Sequence, residues 1–451
     1  MKNIFLLLLG VCFVSYSQAQ QELGTHFMQG YWQSTNTNPS FMPNSRIVIG
    51  LPGVYNNLLV TNVTFSDILV EDENGNNRID VKNAISQLGD NNFIREDLDI
   101  ETVSVGWQLG NLMLSIGHKL RFNSFINYPK AFPQLVWEGN AQFVGQTVEF
   151  SPDIQASAYH EIALGGAYRL GNISIGGRVK LLSGVSDVST DRTQLSLYTS
   201  DDIYQLNLDA DFRVNTSGAL FYNGFDDLVI DFNFGRFETK NFLSKNSGIA
   251  FDLGASAQFG KLGLAASVID IGEITWKDEV KNYSLLGDYE YEGLDIAREV
   301  LEDSTDIGSA LDTLQAIYEP TETTNSYRTK LPGRVYLSAT YQLSEKLQLG
   351  GLFYTERFRG ENFPAVAVSA QYKLNKFLQF GGLYAFRNDT FDNLGVNAAV
   401  TVGPVQIVAA TDNILTAFQV NNSNNANVRL GINLAFGKAT DTAEGEEKSF
   451  Y

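Results

Sequence analysis

Ile249-Ala250-Phe251-Asp252-Leu253-Gly254-Ala255-Ser256-Ala257-Gln258-Phe259 alternates without a break. In an extended chain Ile249, Phe251, Leu253, Ala255, Ala257 and Phe259 share one face, and Ala250, Asp252, Gly254, Ser256 and Gln258 share the other. One face is apolar and the opposite face is small or polar. The same split separates Val335, Leu337, Ala339, Tyr341 and Leu343 from Arg334, Tyr336, Ser338, Thr340 and Gln342. It returns where Val428, Leu430, Ile432, Leu434 and Phe436 oppose Asn427, Arg429, Gly431, Asn433 and Ala435.

Short turns join these strands in pairs. They fall at Leu109-Gly110-Asn111, Leu170-Gly171-Asn172, Phe259-Gly260-Lys261, Leu343-Ser344-Glu345-Lys346, Leu374-Asn375-Lys376 and Val402-Gly403-Pro404. Each tip carries Gly, Asn, Ser or Pro, as tight hairpins prefer. A soluble sandwich also alternates, so the pattern leaves two candidates. Strand length and loop asymmetry separate them. Many strands run about ten residues, as a tilted membrane strand does, and each short turn is followed by a longer connection. Six hairpins give about twelve strands; an opening strand over residues 46–51 and a closing strand over 427–436 bring the total to about fourteen. The fold class read from the sequence is therefore all-β: an antiparallel transmembrane β-barrel of about fourteen strands with long, partly helical loops.

Composition agrees. No apolar run after the N-terminus reaches the ~20 residues of a membrane helix. At the N-terminus, Lys2, an apolar core from Ile4 to Val14 and Ser17-Gln18-Ala19 read as a secretory signal cleaved after Ala19. The single cysteine, Cys12, lies within that core, where Val11 is too large for a lipobox. A mature chain without cysteine has neither disulfides nor thiolate chemistry. The net charge of −19 disfavours nucleic acid, whose phosphates require Lys and Arg. The domain reading is a signal peptide at 1–19, a barrel at 20–437 and an acidic, disordered tail at 438–451.

Trp107, Tyr168, Tyr341 and Tyr372 each stand two residues before the Leu that opens a turn, which predicts an aromatic girdle at the short-turn rim. The polar face carries Glu161, Arg169, Arg178, Lys180, Asp252, Arg334, Glu356, Lys373 and Arg429. In a barrel these point into the lumen, either filling it with ion pairs or lining an aqueous path. Long connections are expected over residues 52–101, 123–159, 183–247 and 270–331. Helical spacing is present at Val81-Ala84-Ile85-Leu88 after Asp80, and at Ile307-Leu311-Leu314-Ile317 before Pro320, suited either to a lid over the barrel mouth or to surface elaboration.

Enzymatic signatures are missing. His26, His118 and His160 are far apart in sequence, with no HExxH and no GxSxG. The stretch 72–80 sets Asp72, Asn74, Asn76 and Asp80 at calcium-loop spacing, but Asn77 stands at the glycine position and Asn83 at the bidentate one. The competing reading is a polar turn that caps the following helix. The sequence names no cofactor.

Asn38-Pro39-Ser40-Phe41-Met42-Pro43, Tyr327-Arg328-Thr329-Lys330-Leu331-Pro332, Thr411-Asp412-Asn413-Ile414-Leu415 and the stretch from Asn425 to Asn433 resemble a family of uncharacterised outer-membrane barrels from Bacteroidota. That family is distantly similar to FadL-like fatty-acid transporters and to type IX secretion barrels such as PorV and the PorP/SprF group. The resemblance implies fourteen strands and an N-terminal segment entering the lumen. It implies an outer-membrane protein that passes or holds a small hydrophobic molecule, or a non-transporting barrel that assists an envelope complex such as the type IX secretion or gliding machinery. Outer-membrane lipid is the surrounding partner in either case. Asp412 and Asn413 are expected to shape a loop.

Overall fold

The computed structural model describes residues 22–71, 77–201, 205–222, 228–232, 245–291, 319–387, 390–418 and 423–439. The expected signal peptide, Asp72, Asn74, Asn76, the helical pattern at 307–317 and the tail from residue 440 lie outside these residues.

Fourteen antiparallel strands close on themselves. They are β1 (Ser45–Gly50 and Gly53–Val60), β2 (Asn91–Leu109), β3 (Leu112–Pro129), β4 (Asp153–Leu170), β5 (Ile173–Thr199), β6 (Ser247–Phe259) and β7 (Leu262–Trp276). There follow β8 (Tyr327–Lys330 and Gly333–Gln342), β9 (Leu347–Phe358), β10 (Glu361–Lys373), β11 (Leu378–Arg387), β12 (Thr390–Val402), β13 (Val405–Thr411) and β14 (Asn425–Lys438). Each pairs with the next, and β14 returns to β1 with Val48 opposite Ala435 and Asn56 opposite Val428. Closure removes the free edges that a sheet cannot leave in hydrocarbon.

The wall is inside-out relative to a soluble core. Phe251 and Leu253 are 49% and 65% exposed, while Asp252 between them is fully buried. Leu337, Leu430 and Ile432 are likewise outward, and Ser338, Arg429 and Asn433 are buried. An apolar outer belt around a polar interior is the arrangement of a barrel solvated by lipid. Gly110, Gly171, Gly260 and Gly403 begin four of the turns with φ near +60, a conformation that glycine adopts without steric cost.

Leu378–Arg387 has the ten residues expected and Val405–Thr411 only seven, but the strands of the first half of the barrel are longer. β2, β3 and β4 have 19, 18 and 18 residues and β5 has 27. At about 3.3 Å per residue the longest of them far exceeds a ~25 Å apolar band even when tilted. Residues 91–101, 153–159 and 183–199, expected in connections, are strand. Above the belt both faces of β5 become polar, as at Ser186, Asp187, Ser189 and Asp191, so hydrophobic alternation no longer marks that half of the strand. There the distal half of β5 pairs with Leu206–Ser217, which pairs with Val280–Tyr291, forming a sheet that stands above the rim. Another connection forms a helix at Val81–Gln87, whose first turn Asp80 caps by accepting from the Asn83 N–H at 3.0 Å. Ile85 and Leu88 of this region pack with Val63, against Tyr128 of β3.

Candidate functional site: a filled lumen

Residues 22–43 lie inside the barrel and touch it on nearly every side. Leu23–His26 forms a helical turn and Trp32–Asn36 a 3-10 turn. Asp412 on the loop after β13 accepts the Leu23 and Gly24 N–H groups at 3.0 and 2.8 Å. Its expected loop-shaping role is thus incomplete, because its carboxylate grips the N-terminal segment. Asn413 does shape the loop, through Asn425 and the Leu415 N–H. His26 bridges Thr37 at 2.9 Å and Ser338 of β8 at 2.8 Å, and stacks on Tyr336. Ser267 of β7 donates to the Thr37 carbonyl at 2.6 Å, and Ser40 donates to Ser256 of β6 at 3.0 Å.

Small wall residues make this approach possible. A Cβ at Gly106, Gly176, Gly254, Gly350 or Gly431 would collide with Trp32, Pro39, Asn38, Phe27 or Gln33 respectively. Glycine there permits plug and wall to touch. Leu23 and Phe27 then bury their side chains against Tyr336, Leu352, Tyr354 and Leu383.

Charged side chains fill the lumen beside this segment. Asp270 is central: Arg121 and Arg334 reach it at 3.0 and 3.5 Å, and Lys180 also pairs with it. Arg121 also binds Asp99 at 2.9 Å and Glu161 at 3.0 Å; Lys180 binds Asp252 at 2.8 Å. Arg334 continues to Glu356 at 3.2 Å, Glu356 pairs with Arg95, and Arg95 reaches Asp97 at 2.7 Å. Arg178 links Asp252, at 3.6 Å, to the Thr35 carbonyl of the plug. Five cations thus meet six carboxylates in one connected set, so opposite charges compensate the loss of water around each. Asp270 enters through a bulge where β6 and β7 slip register; its φ is 62°, and its N–H donates to Asp252 at 2.8 Å. Above this set Phe93, Phe125, Phe358 and Phe363 pack together, with the Arg95 guanidinium over two of the rings.

A second cluster holds the start of the plug. Arg429 pairs with Glu22, and with Glu101 at 3.3 Å, while its guanidinium lies 4.9 Å from the Tyr55 ring. Lys119 reaches Glu101 at 3.2 Å, and Asn36 donates to Glu101 at 2.8 Å.

Of the lumen residues read from sequence, Glu161, Arg178, Lys180, Asp252, Arg334 and Glu356 come together and Arg429 joins the second cluster. Arg169 and Lys373 stand at the short-turn rim, partly exposed and apart from both clusters. Sequence reasoning missed Arg95, Asp97, Asp99 and Arg121, whose alternation with Ile94, Leu98, Ile100, Leu120 and Phe122 was the available signal. Trp107, Tyr168 and Tyr341 are outward and about half exposed, and Tyr372 is partly exposed. His118 and His160, far apart in sequence, stack at 5.2 Å on neighbouring strands with Nε2 and Nδ1 3.1 Å apart. Strand pairing, invisible in their spacing, brings them together. Among the described residues no three His, Cys, Asp or Glu side chains assemble as a metal site.

Gly166, Gly177, Gly351 and Gly382 lie on the outward face. None interrupts pairing: Gly166 stands opposite Gly177, and Gly351 opposite Val368. Gly166 and Gly177 form part of an external apolar groove of about 650 Å³ between Tyr168, Leu253 and Leu337.

The model of a family described as "Family of unknown function (DUF5723)" matches residues 39–412. No curated protein matches the sequence. Among solved structures, the toluene transporter TbuX of Ralstonia pickettii is similar at a TM-score of 0.41 and 10% identity, over 90% of this chain and 93% of that one. The toluene transporter TodX of P. putida gives 0.40 and 10%, over 90% and 94%. The KdgM porin gives 0.25 and 7%, over 86% and 99%.

Proposed function

The chain belongs to this family of unknown function, and we propose that it works in a Gram-negative outer membrane as a sealed barrel that anchors an envelope assembly. The observation that carries this reading is the filled lumen: residues 22–43 and the ion-pair set occupy the space that a standing pore requires. A path lined by eleven charged groups in mutual contact is also a poor route for an apolar solute. The sheet built from β5, Leu206–Ser217 and Val280–Tyr291 supplies a surface above the rim for another envelope component. Secretion or gliding machinery of the type IX class is the partner class in view.

A second reading is a barrel that holds or passes a small hydrophobic molecule. The external groove beside Gly166 and Gly177 favours it, since the small residues there leave an apolar recess within the wall. Passage through the lumen itself would require the N-terminal segment to move.

Purification of the full chain from native membranes, followed by single-channel recording in planar bilayers, separates the two. A stoichiometric protein partner together with a silent bilayer supports the anchor. A lone barrel carrying a bound apolar molecule, or conducting when residues 22–43 are intact, refutes it.

A further inference from the structure

The protein is strongly acidic overall, with a net charge of −19, yet one of its rims is basic. Lys261 tips the β6–β7 turn, Lys346 the β8–β9 turn and Lys376 the β10–β11 turn, all exposed. Lys373 lies just before the last of these, half-buried. Backbone bonds set the three hairpins side by side. The Lys261 carbonyl accepts the Gln342 N–H at 2.8 Å, and the Lys346 carbonyl accepts the Lys373 N–H at 2.8 Å. Glu345 is the one carboxylate at these tips. Basic character continues around the rim at Arg169, Arg46 and Lys438.

Directly above the lysines the outer face turns aromatic. Phe259, Tyr341, Phe377 and Phe380 are each between 44% and 52% exposed, and the Lys376 ammonium lies 5.0 Å from the Phe377 ring centre. Aromatic rings of this kind settle where acyl chains meet headgroups, which puts the lysines at phosphate depth. Strands sit about 4.8 Å apart, so successive hairpin tips are roughly 10 Å apart, a spacing that suits neighbouring lipid headgroups.

We propose that the β6–β11 hairpin tips form a binding surface for the phosphate headgroups of anionic phospholipids in the leaflet that the short turns face. An ammonium on a flexible stem binds phosphate as a point charge and needs no fixed geometry, in keeping with exposed lysines at turn tips. The surface would hold a ring of anionic lipid at one end of the barrel and fix its depth and tilt. This rests on the barrel standing in a bilayer and is independent of whether its lumen conducts.

The test is native mass spectrometry of the detergent-solubilised full chain titrated with phosphatidylglycerol or phosphatidylcholine. It compares wild type with a Lys261→Gln, Lys346→Gln, Lys376→Gln triple variant and with the corresponding Arg triple. Gel mobility with and without boiling checks that each is folded. Expected is a preference for phosphatidylglycerol that falls about tenfold or more in the Gln variant, survives in the Arg variant and resists competition by free inorganic phosphate. The proposal is overturned if wild type shows no preference, if the Gln variant keeps it, or if inorganic phosphate displaces the lipid. It is equally overturned if truncation after Ala439 is needed before any preference emerges, because the acidic tail would then be the occupant. Binding of poly-glutamate in place of lipid would assign the rim to an acidic protein and also refute it.

Discussion

Gln33 and Asn433, four hundred positions apart in the chain, exchange amide hydrogen bonds, each donating to the other at 3.0 Å. The pair joins the N-terminal segment to the strand that closes the barrel. Both side chains are buried, so Asn433→Ala removes two bonds and leaves the Gln33 amide without that partner. A cost of about 1–3 kcal/mol is expected. Urea unfolding in lipid vesicles measures it, and protease access to residues 22–43 should rise while the barrel remains heat-modifiable. Unchanged stability and unchanged access would show that the plug is held elsewhere.

Asp270 stands among Arg121, Lys180 and Arg334 in a fully buried position. Asp270→Asn keeps a residue that tolerates the left-handed backbone and removes only the charge. Three guanidinium or ammonium groups then lose a shared counter-charge, at an expected cost of about 3–5 kcal/mol. The measurement is the urea midpoint of unfolding from vesicles. A loss below about 1 kcal/mol would mean that the remaining carboxylates, Asp99, Glu161, Asp252 and Glu356, compensate.

The fold was legible wherever one face met lipid and the other the lumen, because that contrast writes itself into alternate residues. Phe251 beside Asp252 and Leu430 beside Arg429 state it directly. It weakened above the membrane belt, where Glu96 interrupts the apolar face of β2 between Ile94 and Leu98, so that Arg95-Glu96-Asp97 looks like a loop although it is strand. The site followed the same division. Glu161, Lys180, Arg334 and Glu356 were readable because their strands were. Asp270 was not, since a bulge alone turns it inward, and Glu22 was not, because its partner Arg429 lies at the other end of the chain.

Asp187 lies beyond the apolar belt, on the part of β5 that joins the outer sheet. It is completely buried and accepts from Ser157, from Ser189 at 3.1 Å and from the Tyr327 hydroxyl at 2.8 Å. Burial pushes its carboxyl up to about 7, outweighing those donors and the nearby Arg359. The folded chain therefore keeps a proton that the unfolded chain releases near 3.8. Stability should fall as pH rises between about 4 and 7, by at most about 1.4 kcal/mol per unit, and level off above that. Hydrogen exchange over residues 187–217 from pH 5 to pH 8 reads the slope, and Asp187→Asn should flatten it. A slope that persists in the variant would assign it to another group.

Gly350 and Gly351 are neighbours on β9 that face opposite solvents. A Cβ on Gly350 would strike the Phe27 ring of the plug, whereas one on Gly351 would meet nothing within 4 Å. The same substitution should then have opposite consequences one residue apart. Gly350→Ala forces either the ring or the strand to move, at an expected cost of about 1–3 kcal/mol, and should loosen the N-terminal segment. Gly351→Ala adds an outward methyl and lowers the backbone freedom of the unfolded chain, so stability should be unchanged or higher by up to about 1 kcal/mol. Urea midpoints and proteolysis of residues 22–43 test both variants together. Equal effects at the two positions would contradict a plug seated against β9.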